Sequence, residues 1–589
     1  MDQKVLALTN AISITETPND LTTEIDLASP IEIVRLLRQS DAQIYNGWKR
    51  EPALCDPEIL ERLALLVEAV TRALESKGRQ LIVISGAGTS GRLAMFAART
   101  FNRLLAERSQ PPIFRYLMAG GASALIRAQE GAEDNPHQGV ADLKAILGDV
   151  RAGIYIGVTC GFSAPYTAGQ LDWTLTQPKM TSVLLGFNPV NLARQRPIEN
   201  WNKTFLEVAR AVESSKRGLI INPLIGPEPI TGSTRMKGGS ATKWILDAVF
   251  GLAFARTFAT TRRQWGILLG PMRDEKTAEI LRQIFWQYEI TREETYQQRD
   301  AIARLIRWGG DALLARRSIC YLGRDTFGLL GLIDASECPP TFGASFDDVR
   351  GFIENGWHSL LQDDEDLSSR GPQFQISLTD FRKNILPAAQ APGLVVGILE
   401  DGRGPEVLRL LKESAAKGVS TALLTFSPSE EFAAKKSKTL VLTPRLKIHS
   451  ILPGVPSYAE FSTKLVLNAL TTGAHILAGK VYSNRMIDLR LSNSKLYYRI
   501  LGILGILMGV DEPTADKCVR RALFNTDRLT EAQTSAKISA LIVRGGGAEK
   551  LVPKALLLAT GKFSYAQTCE ALQREPIVRK ILETHLPKA

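Results

Sequence analysis

The stretch Leu81-Ile-Val-Ile-Ser-Gly-Ala-Gly-Thr-Ser-Gly-Arg92 decides the fold. Four consecutive apolar residues, Leu81 to Ile84, read as a short strand buried on both faces. A glycine-rich turn, Gly86–Gly91, follows, and Arg92 begins a helical pattern. Upstream, Glu58–Lys77 repeats apolar residues at helical spacing and stops at Gly78. Downstream, Ile113–Met118, Gly153–Val158 and Ser182–Phe187 are further short apolar runs with helix-like segments between them. Strands alternating with helices predict an α/β fold, a doubly wound parallel sheet of flavodoxin type covered on both faces.

The pattern then recurs. Ser318–Leu322 is a second short strand, and Gly323-Arg-Asp-Thr-Phe-Gly328 is its turn. Gly86 and Gly91 each precede Gly323 and Gly328 by 237 positions, and Thr242-Lys243 is echoed by Thr463-Lys464. An internal duplication follows, with two α/β domains in tandem. Arg273–Arg307 is a charged helical stretch between them. After about residue 500 the pattern is helical, with Leu541–Val543 as the one strand-like run. The expected divisions are a 1–57 N-terminal segment, a 58–285 first domain, a 286–500 second domain and a 501–589 helical cap.

Composition narrows the partners. The 589 residues carry a net charge of +11 with no long basic run, so a nucleic acid is not the expected partner and an anionic small molecule is. The six cysteines include no CxxC pair, which fits a reducing cytoplasm. The five histidines show no HExxH, so no metal site is expected. Met1-Asp-Gln-Lys4 has no apolar core behind it, unlike a signal peptide, and no apolar run reaches the ~18 residues of a membrane span.

The turn Gly86–Gly91 matches GxGxxG, but the next strand ends at Met118-Ala-Gly-Gly121 without the acid that would hold a ribose. Its variable positions are hydroxyls. Gly88, Thr89 and Ser90 at a helix N-terminus suit a phosphate monoester; the same turn could also bind nothing. A second hydroxyl-rich turn, Thr159-Cys-Gly-Phe-Ser163, opens another helix at a strand end, where open parallel sheets collect ligands. Thr159, Gly161 and Ser163 join the candidate site, although either hydroxyl could simply cap a helix. In the second domain Asp325 and Phe327 oppose an anion, so only one phosphate loop is expected intact. Gly226–Lys243 combines Glu228, hydroxyls and three cations ahead of a helix, and as pattern alone could be a surface loop.

Three of these stretches, Gly86–Leu93, Glu130-Gly-Ala-Glu-Asp134 and Gly226–Lys243, resemble the signature blocks of the N-acetylmuramic acid 6-phosphate etherases, enzymes of the sugar isomerase (SIS) fold. Asp334-Ala-Ser-Glu-Cys-Pro-Pro-Thr-Phe-Gly343 resembles another block of that family. The tandem arrangement is similar to the glucokinase regulatory proteins, as are Gly371-Pro-Gln-Phe374, Ser462-Thr-Lys464, Thr472-Gly-Ala-His475 and Asp488–Lys495.

The etherase resemblance implies two catalytic glutamates. One matches Glu133. The other matches Glu337, since Thr100 stands at the equivalent place in the first domain and the second domain lacks a Glu133 block. Neither half is complete, so the two SIS domains are expected to form an internal pseudo-dimer with one composite site. The regulator resemblance also places Lys495 and Arg499 near the bound sugar phosphate. The implied activity is that of a carbon–oxygen lyase releasing D-lactate from N-acetylmuramic acid 6-phosphate and yielding N-acetylglucosamine 6-phosphate, with Glu133 as base, Glu337 as acid and no cofactor. Glu337 is expected to end a helix stopped by Pro339 and Pro340, where the helix dipole favours a protonated carboxyl. The alternative is a non-catalytic sensor binding fructose 6-phosphate or fructose 1-phosphate and a sugar kinase. Pro444–Glu460 differs from the partner-facing surface which that alternative implies.

Overall fold

The computed structural model describes residues 13–127, 129, 131–150, 152–198, 201–360, 366–427, 439–488, 491, 494–545 and 547–585. Two five-stranded, all-parallel sheets organise it. The first contains β1 (Leu81–Gly86), β2 (Phe114–Met118), β3 (Gly153–Val158), β4 (Met180–Leu185) and β5 (Gly218–Ile221), in the order β2-β1-β3-β4-β5. The second contains β6 (Ile319–Gly323), β7 (Val349–Ile353), β8 (Leu394–Leu399), β9 (Ser420–Thr425) and β10 (Leu440–Leu442), in the order β7-β6-β8-β9-β10. Both follow the flavodoxin-like 2-1-3-4-5 order. Ile84 pairs with Tyr116 on one side and Ile156 on the other, as Tyr321 pairs with Gly351 and Val396. The duplication expected from the 237-residue echo is therefore a duplication of topology.

Two long helices form the seam between the domains. Lys237–Phe258 and Ser457–Leu477 are buried along almost their whole length, polar residues included. Trp244 stacks on Tyr288 at 4.8 Å and meets Phe461 edge-on at 5.1 Å. Helix Pro57–Glu75 follows its apolar stripe, with Ile59, Leu60, Leu63, Leu66, Val67, Val70 and Leu74 buried. The N-terminal segment contains helix Pro30–Asp41, which packs on helices Thr277–Tyr296 and Arg299–Leu314. Helix Thr277–Tyr296 runs through the division expected at 285/286. The C-terminal helices bury a core of their own, including Leu504, Val519, Leu541 and Leu556. Among the described residues no helix is long and apolar enough to cross a membrane.

Two local expectations change, and one loop is fixed. Leu541–Val543 lies within helix Ile538–Gly545, where Leu541 faces that small core while Val543 is exposed. Pro339 and Pro340 do not end their helix, which continues to Phe342 and stops at left-handed Gly343. Glu337 therefore sits inside the helix, and the placement at a helix end fails. Pro444–Glu460 is held down: Ile451, Leu452 and Val455 are buried, and Arg103 Nη2 donates to the Gly454 carbonyl at 2.8 Å.

His475 supplies a pH test of the seam. Its ring stacks on Phe342 at 4.3 Å, and Nδ1 lies 2.7 Å from the Thr471 carbonyl, which selects the Nδ1–H tautomer. Burial pushes its pKa down to about 3. The unfolded chain then binds the extra proton first, so this contribution is present above pH ~6.5 and is lost as pH falls toward 3. Denaturant melts of His475→Gln across pH 7 to 4 are expected to show a shallower acid loss than the parent. Parallel curves would refute this assignment.

Candidate functional site

Both hydroxyl turns lie where parallel strands end. β1 delivers Gly88, Thr89 and Ser90 to the first turn of helix Thr89–Ala106. Gly88 has φ +53°, and its backbone faces open space. No side chain caps this helix; the Ser90 amide donates to the Ala87 carbonyl at 3.1 Å, and no capping side chain covers the rest of the first turn. β3 delivers Thr159, Gly161 and Ser163 ahead of helix Pro165–Leu175, which is likewise uncapped by a side chain. Thr159 is buried and accepts from the Ser163 amide at 3.4 Å.

The third loop joins them through its glycines. A Cβ on Gly238 would lie 2.9 Å from Cys160 Sγ, and one on Gly239 would lie 3.1 Å from the Thr89 methyl. Glu228 closes the N-terminus of helix Lys237–Phe258: its carboxylate accepts from the Lys237 and Gly238 amides, both at 2.8 Å. Burial pushes the Glu228 pKa up, against the pull of Lys237. Of the three helix N-termini at this end of the first domain, this one is therefore filled by the protein's own carboxylate and the other two are not.

Glu337 arrives from the second domain. Its Oε2 accepts from Thr89 Oγ1 at 2.6 Å, and its Oε1 lies 3.4 Å from Arg92 Nη1. The expected juxtaposition of Glu337 with the phosphate turn is thus present in the geometry. Arg92 is fully buried and also donates to the Ala124 and Leu125 carbonyls at 2.9 Å each. Behind Glu337, Arg235 Nη1 meets Asp334 Oδ1 at 2.9 Å and Nη2 donates to Thr472 at 2.7 Å. Lys464 Nζ donates to the Arg235 carbonyl at 2.6 Å, and burial pushes its pKa down to about 8, with Glu337 opposing. Thr89, Arg235, Asp334, Glu337, Lys464 and Asn468 line a small cavity across the domain seam.

The remaining expected residues are dispersed. Glu133 is exposed on the single turn Ala132–Asp134, beyond β2, while Glu337 is buried. Arg499 lies on helix Ser494–Met508 of the cap, and its Nη2 lies 3.4 Å from Glu16 Oε2. The Lys495 side chain lies outside the described residues. In the second domain Asp325 is paired with Arg324 at 3.0 Å and Phe327 is buried near Phe426. Sequence reasoning missed Arg92, Asp334 and Glu16 as members of this neighbourhood. Arg92 carried one usable signal, a cation in the first turn of a helix where it is electrostatically unfavourable.

Three family models match the chain: the glucokinase regulatory protein N-terminal SIS domain over residues 63–175, its second SIS domain over 296–440, and its C-terminal lid domain over 483–582. The chain is 33% identical to the glucokinase regulatory protein of Xenopus laevis, over 98% of this chain and 93% of that one. It is 32% identical to the Homo sapiens protein, with the same coverage. The N-acetylmuramic acid 6-phosphate etherase of Clostridium botulinum strain Loch Maree is 31% identical, over only 42% of this chain and 80% of its own length.

These relations overturn the expected carbon–oxygen lyase. The relatives that run the full length are regulatory proteins, and the etherase match accounts for less than half of the chain. With two SIS domains, a matching lid domain and full-length similarity to the vertebrate regulators, the chain belongs to the glucokinase regulatory protein family.

Proposed function

We propose that this protein is a non-catalytic regulator that binds a phosphorylated sugar between its two SIS domains and, according to that occupancy, engages a glucokinase-type sugar kinase. The contact that carries the reading is Thr89 to Glu337 at 2.6 Å, because it makes the phosphate turn of one domain depend on the position of the other. A ligand that displaces Glu337 from Thr89 would favour one arrangement of the seam over another, which is what a binding-driven switch requires.

The phosphate is assigned to the open amides after Gly88 and to the Thr89, Ser90, Thr159 and Ser163 hydroxyls, with the Gly161 backbone beside them. Arg499 supplies positive charge from the cap, Lys495, whose side chain lies outside the described residues, is kept as a candidate beside it, and Glu337 accepts from sugar hydroxyls. Glu133 is assigned to the rim, and Glu228 orders the floor. Fructose 6-phosphate and fructose 1-phosphate are the preferred class, with N-acetylmuramic acid 6-phosphate as a ligand to compare. A cytoplasmic location belongs to the same reading, since none of the six cysteines is in a disulfide.

Calorimetry with these three phosphosugars, followed by a glucokinase assay with and without the chain, tests the proposal. A bound ligand at 100 times its Kd is expected to add about 2.7 kcal/mol of stability, and Thr89→Val is expected to lose most of that gain. Failure of all three ligands to bind, with kinase activity unaffected, would remove this function.

A further inference from the structure

Residues 13–16 run as a strap across the hydroxyl turns. Asn188 anchors it: the Asn188 side-chain oxygen accepts from the Ile14 amide at 3.0 Å and from the Ser13 hydroxyl at 3.1 Å. The Thr15 carbonyl accepts from the Gly232 amide at 3.0 Å. Two glycines permit this approach. A Cβ on Gly161 would lie 2.9 Å from Ser13 Oγ and 3.0 Å from Thr15 Oγ1. A Cβ on Gly232, whose φ is +78°, would lie 2.8 Å from Glu16 Oε2. The strap therefore sets two hydroxyls against the Thr159–Ser163 turn and one carboxylate against the 231–233 loop.

From that loop Glu16 reaches Arg499 of the cap at 3.4 Å. A second guanidinium is close. Arg485 is bridged through its backbone to Thr231, and its pKa is pushed down by burial and then by the charge of Arg499. Arg485 thus adds a second positive charge beside Arg499. In the same loop the Ser233 hydroxyl is buried with no hydrogen-bond partner, a group that ordinarily finds one. The Arg499 guanidinium, an unused buried hydroxyl and a helix first turn without a side-chain cap point to a place for an anion.

We propose that Glu16 is an internal competitor for the phosphoryl group: it holds Arg499 in the empty chain and releases it to the phosphate of the bound sugar, which makes Glu16 a determinant of how strongly the site prefers phosphorylated over free sugar. This rests on the phosphosugar reading above. The exchange is easy because the Glu16–Arg499 pair is 47% and 40% exposed, and exposed pairs are weak.

The test is isothermal titration of the full chain with fructose 6-phosphate, fructose 1-phosphate and free fructose at one fixed ionic strength. The parent, Glu16→Gln, Arg499→Gln and the double variant are compared. Glu16→Gln is expected to bind the phosphosugars about 3- to 5-fold more tightly, the range an exposed ion pair can supply, with no gain for free fructose. In the Arg499→Gln background the same change is expected to do nothing. Weaker or unchanged binding by Glu16→Gln, or a gain that survives loss of Arg499, would overturn the proposal while leaving the phosphosugar site in place. A parent chain that binds no phosphosugar would overturn both.

Discussion

Replacing Lys243 by Met is expected to lower the unfolding free energy by about 3–5 kcal/mol, the usual consequence of stranding a buried charge. Lys243 Nζ lies 2.7 Å from Asp247 Oδ2 and 2.7 Å from Glu460 Oε2. All three side chains are at least 95% buried. Asp247 belongs to the helix of the first domain and Glu460 to the paired helix of the second, so the ammonium closes the seam. It also lies 4.6 Å from the centre of the Phe96 ring. Tyr288 donates to the same Asp247 oxygen at 2.7 Å, but Glu460 Oε1 has no partner at all. Removing the cation therefore leaves two carboxylates facing each other in a low-dielectric interior. Urea melts measure the loss. Lys243→Met combined with Asp247→Leu and Glu460→Leu is expected to recover much of it, because a buried ion triad and an apolar cluster of similar volume are close in free energy. A single-variant loss below ~1 kcal/mol would show that water reaches this seam.

Ser90→Asp is expected to weaken phosphosugar binding by more than about 100-fold, since a like-charge juxtaposition costs several kcal/mol. Ser90 is buried in the first turn of helix Thr89–Ala106, which has no capping side chain. A carboxylate there occupies the amides assigned to the phosphate, much as Glu228 occupies those of helix Lys237–Phe258. The variant is expected to fold, because an acid in a first helical turn is favoured by the macrodipole. Ser90→Ala separates charge from hydroxyl, with an expected loss of about 10-fold for one hydrogen bond to a charged group. Retained affinity in Ser90→Asp would move the phosphate away from this turn.

Much of this was readable locally. The strand–turn–helix pattern of residues 81–106 lies within one short segment, and each of its features is a local rule: apolar run, glycine turn, helical period. The same holds for Asp325 and Phe327, whose charge and bulk oppose an anion at the second turn by their own chemistry. Local rules misled at Pro339 and Pro340, where burial of the helix to Phe342 outweighs the proline penalty. They misled also at Leu541–Val543, whose apolar run is too short for period alone to separate strand from helix. The echo of Thr242-Lys243 in Thr463-Lys464 was visible, but its meaning was not. Lys243 neutralises two carboxylates, whereas Lys464 donates to a peptide carbonyl, because equivalent positions of a duplicated fold face unequal neighbours.

From the chain alone came two α/β domains in tandem and the candidate phosphate turn at Gly86–Gly91, since strand, turn and helix preferences act between residues a few positions apart. Tertiary structure alone decided which groups meet. Thr89 and Glu337 are 248 residues apart, and Glu16 and Arg499 are 483 apart. Those meetings depend on how two buried helices dock and where the cap comes to rest. Such docking is set by the shape and burial of whole surfaces and leaves no short-range period in the sequence.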